Sequence, residues 1–434
     1  MSIEHLQRTV SAYSRSSRRV LTLAFIGFTV AFAVWMMFGV LGVPIRNEFG
    51  LSQVQFSWLL AAATLGGALP RMWTGILTDK YGGRLIFTIN LLIVVPALIL
   101  MLSVKSFPAL LTLAVWAGLA GNTFSIGIAW CSAWFPPERQ GFALGVFGAG
   151  NVGASVTKFI GPPLIAIVPA AGFFGGLIPG GWRFVAFIYI FLLVGMAITV
   201  WMAAPKPDHK PGAGRSLFEM HRPLQHLRVW RFGLYYVAVF GAYVALSLWL
   251  PRYYVDVYGL QLWLASLLTA LYIFPASLLR PLGGWFSDRF GPRIVTKGAF
   301  TTMVIIGILL SIPDLVKSVV VFAALLFIVG VAMGVGKASV YRFIPDYYPR
   351  DVGAVGGLVG LLGAAGGIFL PPLFGYGETI TGLPEATWII LLALNLLCLG
   401  WLQFSGDRTL SREEIASLRG KTVITDGKVF VSQG

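Results

Sequence analysis

Acidic side chains are scarce in this chain: none of its 17 aspartates and glutamates falls inside a long apolar run. Cysteine is scarcer still. Cys131 and Cys398 both sit within apolar stretches, which excludes a disulfide framework and gives no basis for redox chemistry. The four histidines all lie outside those stretches, with no ligand spacing, so neither a metal nor a cofactor is expected, and no enzyme motif is present. Charged residues make up 11% of the chain against 57% hydrophobic, and the mean hydropathy is +0.81. Those values exclude a set of soluble domains, disorder and collagen-like repeats. A net charge of +15 invites a nucleic-acid partner, but the distribution of the basic residues, taken up next, argues for topology instead.

What is present is a series of apolar runs of membrane-crossing length. The first, from Val20 to about Val43, is too long for a signal core and has no small-residue cleavage site, so it reads as a retained helix. Hydropathy and charged or Pro/Gly-rich breaks place twelve spans near 20–43, 54–78, 85–104, 108–133, 141–167, 183–203, 231–254, 262–286, 295–313, 319–343, 354–375 and 386–405. With both termini on one side, the segments there hold 23 of the 32 Lys and Arg residues, whereas Arg46, Lys105, Arg183, Arg252 and Lys317 face the other way. The positive-inside rule puts the first side in the cytoplasm. The expected organisation is a cytoplasmic arm (1–19), a six-helix bundle (20–203), a central loop (204–230), a second six-helix bundle (231–405) and a cytoplasmic tail (406–434).

The halves are related. RMWTGILTDKYGGR at 71–84 recurs as RPLGGWFSDRFGPR at 280–293, an offset of 209 that pairs Arg71 with Arg280, Asp79 with Asp288, Gly82 with Gly291 and Arg84 with Arg293. Glycine-dense GVFGAGNVGA (145–154) and GLVGLLGAAG (357–366) correspond as well. Two related six-helix bundles imply a pseudo-twofold axis and a central cavity at the repeat interface.

Charge inside the spans is all of one sign: Arg71, Arg280, Lys158 and Lys337. Arg71 and Arg280 precede the aspartates at the cytoplasmic helix ends by eight residues, roughly 12 Å at 1.5 Å per residue, near the midplane. Ions at that depth are costly and mark function. Snorkelling to the interface is the commoner fate of basic residues near helix ends; it fits Lys337 better than Arg71. Guanidinium forks suit planar oxyanions, so the reading is a small singly or doubly charged oxyanion held by two arginines. Asn151, among Gly145, Gly148, Gly150 and Gly153, is at similar depth and is either an interhelical hydrogen bond or a ligand contact. The aspartates of the paired loops are read as gating latches or as topological anchors.

The duplicated Asp-x-x-Gly-x-Arg loops resemble the signature of the major facilitator superfamily over almost the whole chain. Arg71 and Arg280 together with GVFGAGNVGASVTKFIGPP resemble its nitrate/nitrite porters. That resemblance implies an all-α membrane protein of twelve helices in two pseudo-symmetric bundles, alternating access, and one nitrate or nitrite clamped by Arg71 and Arg280. Asn151 is then a hydrogen-bond donor, and Phe32, Tyr236 and Phe240 supply aromatic walls and a hydroxyl; Asp79, Arg84, Asp288 and Arg293 form the gates. Lys158 and Lys337 depart from the uncharged residues of the exchanging members, and the short central loop looks like the branch proposed to import nitrate with protons. With no buried acid or histidine and with arginine unable to titrate, Lys158 or Lys337 is the expected proton-responsive group. Nitrate/nitrite exchange, an oxalate/formate type of exchanger and a non-transporting anion receptor are the alternatives. The expected partners are the anion, protons and lipid, with no nucleic acid, and the working unit a monomer in the cytoplasmic membrane.

Overall fold

In a computed structural model, residues 3–51, 53–169, 172–174, 178–405, 423–425 and 428–430 are described. The helices in chain order are α1 (Ile3–Met36), α2 (Phe38–Phe49), α3 (Gln53–Ala68), α4 (Arg71–Tyr81), α5 (Gly83–Met101), α6 (Phe107–Gly118), α7 (Thr123–Trp134), α8 (Pro137–Gly148), α9 (Gly153–Ile167) and α10 (Trp182–Ala203). They continue as α11 (Leu217–His221), α12 (Leu227–Tyr236), α13 (Ala242–Tyr258), α14 (Leu262–Leu278), α15 (Arg280–Phe290), α16 (Pro292–Leu310), α17 (Val319–Tyr347), α18 (Val352–Thr381) and α19 (Ala386–Phe404). Most of the expected tail lies outside the described residues; within it Val423–Thr425 pairs antiparallel with Lys428–Phe430.

Among the described residues, ten helical stretches are long and apolar enough to cross a membrane, including Arg15–Met36, Trp182–Ala203 and Val319–Tyr347. Their outer faces carry exposed apolar side chains such as Phe191, Ile198 and Met202 on α10, the surface that hydrocarbon requires. The other two of the twelve expected spans are each divided. Span two is α3 followed by α4, parted at Leu69 and Pro70, and span five is α8 and α9, parted by a tight 3₁₀ turn at Ala149–Val152. These two spans carry Arg71 and Asn151. The expected arm 1–19 is no separate element, because α1 runs through it without a break.

Two compact units result. The first comprises Met1–Trp134 and Gly150–Arg215, the second Phe135–Ala149 and Ser216–Gly434. Span five is therefore shared, its first half packing with the second unit. In the first unit α3 packs on α6, and α5 on α10; in the second, α14 packs on α17, and α15 on both α8 and α17.

The repeated loops fold alike because glycine permits it. Gly82 ends α4 at φ 95° and Gly291 ends α15 at φ 85°, left-side backbone angles that a side chain disfavours. Their N–H groups cap the carbonyls of Thr78 at 2.8 Å and Ser287 at 3.0 Å. The central segment is ordered too. Ser216 forms a capping box with Glu219 at the start of α11, satisfying two otherwise orphaned helix-start donors.

Candidate functional site

In the first unit, Arg71 is fully buried at the start of α4. Its Nε donates to the Gly67 carbonyl at 2.6 Å, and its guanidinium carbon lies 4.8 Å from the Trp35 ring centre and 5.5 Å from that of Phe124. Cation and rings attract, the more so away from water. Phe32 stands edge-on to Trp35 at 5.2 Å and to Phe28 at 5.3 Å, and Phe28 meets Phe124 at 5.5 Å. The aromatics thus close a ring beside the arginine. Gly150 abuts this ring: a methyl group there would come within 2.7 Å of Phe28. Its neighbour Asn151 is 1% exposed, and neither its Nδ2 nor its Oδ1 has a hydrogen-bond partner. Burying an amide without partners costs on the order of 2 kcal/mol or more. Arg71 and Phe32 therefore share one aromatic cluster, and Asn151 directly follows the glycine that abuts it.

In the second unit, Arg280 is fully buried at the start of α15. Its guanidinium packs against the bare backbone of Gly148 on α8, where a methyl group would fall on Nε, on Cζ and, at 2.7 Å, on Nη2. Between α12 and α13 the chain makes one wide π-helical turn, Val237–Gly241, a distortion often found at functional positions. It stacks Tyr236 on Phe240 at 5.0 Å, with Tyr341 edge-on to Tyr236 at 4.6 Å. Lys337, fully buried on α17, sets its ammonium 3.1 Å from the Tyr243 ring centre and 5.7 Å from that of Phe240. The same nitrogen donates to the Ala276 carbonyl at 3.0 Å. Tyr236, Phe240 and Lys337 share one cluster, and the carbonyl that Lys337 holds lies one turn before Arg280. The side chain of Lys158 lies outside the described residues.

The residues assigned to gates take different places. Asp288 accepts from the backbone N–H groups of Gly141 and Phe142, both at 2.8 Å, in the second turn of α8. It also accepts from Arg342 Nε at 2.8 Å, and Arg342 in turn bonds Asp346 and the Pro137 carbonyl. Arg293 closes the end of α19, donating to the carbonyls of Leu402, Gln403 and Ser405. In the first unit Arg84 Nε donates to the Trp201 carbonyl at 3.0 Å, and its guanidinium lies over the Trp201 ring. Asp79 is buried, and its carbonyl accepts from Gly212 N–H at 2.9 Å. Beside it, Asp208 of the central segment accepts from the Arg84 N–H at 2.8 Å and from the indoles of Trp130 at 3.0 Å and Trp134 at 2.8 Å.

Trp35, Phe124, Tyr243, Arg342 and Asp208 escaped the sequence reading. One signal was available for Arg342: its spacing of four from Asp346 puts both on one helical face. Aromatic partners leave no such trace among so many aromatic residues.

Twin bundles of broken, cation-bearing helices define a membrane carrier of the facilitator type. The family model described as "Major Facilitator Superfamily" matches residues 23–371 and 262–433, and the chain belongs to that superfamily and, within it, to the NarK-type nitrate/nitrite porters. A Thermus thermophilus protein named "Probable nitrate/nitrite antiporter NarK1" is 55% identical over 411 residues, covering 91% of this chain and 93% of its own. The Bacillus subtilis (strain 168) "Nitrite extrusion protein" is 28% identical, covering 81% and 85%. The fold matches the human organic anion transporter MFSD10 with a TM-score of 0.72 at 16% identity, covering 89% of this chain and 99% of that one. It also matches the Escherichia coli fucose:proton symporter FucP at 0.69 and 15%, covering 88% and 98%.

Proposed function

We propose that this protein carries nitrate, and nitrite, across the cytoplasmic membrane by alternating access, importing nitrate together with protons. Both termini face the cytoplasm, in keeping with the side that holds 23 of the 32 basic residues. Arg71 and Arg280 grip one anion, each offering a planar fork to a planar oxyanion. Asn151 donates a further hydrogen bond, and Phe32, Tyr236 and Phe240 wall the anion in. The observation that carries this reading is the Asn151 amide, buried with its hydrogen-bonding capacity unspent beside the cluster that holds Arg71. The names of the relatives supply the substrate class.

Binding of an anion offsets the repulsion between buried guanidinium groups, so loading favours closure. Asp79, Arg84, Asp288 and Arg293 act as the gates at the cytoplasmic end. Lys158 or Lys337 takes up the proton: an ammonium near the anion is stabilised by it, so loading with anion and with proton reinforce each other. Lys337 faces the Tyr243 ring of α13 and the charge of Arg280 of α15. The working unit is a monomer in lipid. A second reading, exchange of nitrate for nitrite, is favoured by the name of the 55% identical relative.

Uptake of labelled nitrate into proteoliposomes tests both. An inward proton gradient should accelerate uptake into vesicles without internal nitrite. Uptake that needs internal nitrite and ignores the gradient would replace symport with exchange, and the absence of both would remove nitrate transport altogether.

A further inference from the structure

The two arginine-bearing helices start alike and are secured differently. In each unit a helix stops and restarts just before the arginine: α3 ends at Ala68 ahead of Arg71, and α14 ends at Leu278 ahead of Arg280. Proline underlies both breaks. Pro70 cannot donate to the Gly66 carbonyl, nor Pro281 to that of Ser277. A break remote from water persists only where the surrounding protein satisfies the backbone it frees.

In the first unit the donors are neutral or the arginine itself. Asn122 Nδ2 donates to Gly66 O at 3.3 Å, and Arg71 Nε closes on Gly67 O at 2.6 Å. In the second unit, Ala276 stands 209 positions after Gly67, the same offset that relates Arg280 to Arg71. Its carbonyl is taken by Lys337 Nζ at 3.0 Å. Tyr243 supports both sides of this junction: its ring face carries the ammonium at 3.1 Å, and its hydroxyl hydrogen-bonds Ser277 Oγ at 3.0 Å. Carbonyl and ring thus fix a fully buried cation from two directions.

We propose that Lys337 is a positioning residue for Arg280: it holds the carbonyl that the equivalent arginine of the other unit uses as its own anchor. Arg71 is then the fixed arm of the anion clamp. Arg280 is set in place through the carbonyl that Lys337 occupies, with its guanidinium laid against Gly148. This role rests on the reading of Arg280 as an anion ligand, and it is independent of any proton that Lys337 gains or loses.

The test is nitrate counterflow in proteoliposomes at one pH on both sides, with KM and maximal rate measured for Lys337→Gln and Lys337→Met. Glutamine keeps a donor for Ala276 and removes the charge; methionine removes both. Lys337→Met is expected to raise KM by roughly tenfold or more, the scale of losing a charged donor to a buried acceptor, and Lys337→Gln by a clearly smaller factor, since glutamine keeps a neutral donor for Ala276. Tyr243→Leu, which leaves Lys337 in place and takes away its seat, is expected to raise KM several-fold and provides the readout if Lys337→Met does not assemble. Equal KM shifts in the Gln and Met variants would overturn the positioning role, as would no shift in Met or in Tyr243→Leu. A Gln variant that keeps its KM and still accumulates nitrate under a proton gradient supports positioning while removing Lys337 as the proton carrier. Parent protein without nitrate counterflow would sink the transport reading and this role with it.

Discussion

Asp288 receives the backbone N–H of Gly141 at 2.8 Å, a carboxylate at the start of one repeat loop holding the second turn of α8. The same carboxylate receives Arg342, whose guanidinium also reaches Asp346 and the Pro137 carbonyl. One acid therefore closes a network that joins α15, α8 and α17. Such buried networks are strong while complete and costly when one member is removed.

Replacing Asp288 with Asn keeps one acceptor oxygen, leaves one of the two N–H groups facing an amide donor, and removes the charge facing Arg342. The maximal uptake rate is expected to fall by roughly tenfold, the scale of a lost charge-assisted bond, with nitrate KM within about threefold of the parent. Initial-rate uptake over a range of nitrate concentrations checks it.

Arg71→Lys keeps the charge but loses both the bond to Gly67 O and the planar fork. Nitrate affinity should drop by roughly ten- to a hundredfold, the range for hydrogen bonds to charged groups. Equilibrium binding of nitrate to purified protein measures this directly; unchanged affinity would remove the bidentate clamp.

Gly148→Ala places a methyl group on the Arg280 guanidinium, whereas Gly39→Ala meets nothing within 4 Å. The first is expected to reduce nitrate affinity by about tenfold or more while the protein still reaches the membrane, on the scale of overpacking a buried contact. The second should behave like the parent. Expression level and uptake measured side by side separate a lost site from a lost fold.

Asn151→Leu exchanges an amide without partners for an apolar side chain of similar size. Thermal stability without substrate should be equal or higher, because a desolvation cost is removed, and the stabilisation brought by nitrate should disappear. Melting curves with and without nitrate provide the check, and a variant less stable without nitrate yet still stabilised by it would contradict the ligand role.

Arg183 and Trp182 hydrogen-bond Glu48 at 2.6–2.8 Å, and the Arg183 bonds hold its carboxyl below the usual glutamate value of 4.5. A depressed folded-state pKa contributes stability that is present at neutral pH and fades as pH falls through that lower value. The melting temperature of the parent should therefore exceed that of Glu48→Gln at pH 7, with the gap closing in acid below pH 4.5.

Much of the architecture was legible because membrane burial writes itself into composition. The offset that relates Arg71 to Arg280 reappears as matching helix starts, and the Gly82 and Gly291 turns are matching stops. Hydropathy windows averaged across Leu69–Pro70, Ala149–Val152 and Leu279, so these broken spans read as continuous helices. Pairings between distant residues, such as Asp208 with Trp134 or Arg342 with Asp288, leave no periodicity to find. Lys337 shows the limit most clearly: its place near a span end favoured snorkelling, yet it is fully buried, because its hold on Ala276 depends on how two helices pack.

The anchorage of Asp208 bears on how the polypeptide can be dissected. Residues as far as Arg215 belong to the first unit, where Asp208 ties the segment to two indoles and a helix start. Co-expressed fragments meeting after Arg215 would keep that attachment intact, while a split at Ala204 would hand it to the wrong piece.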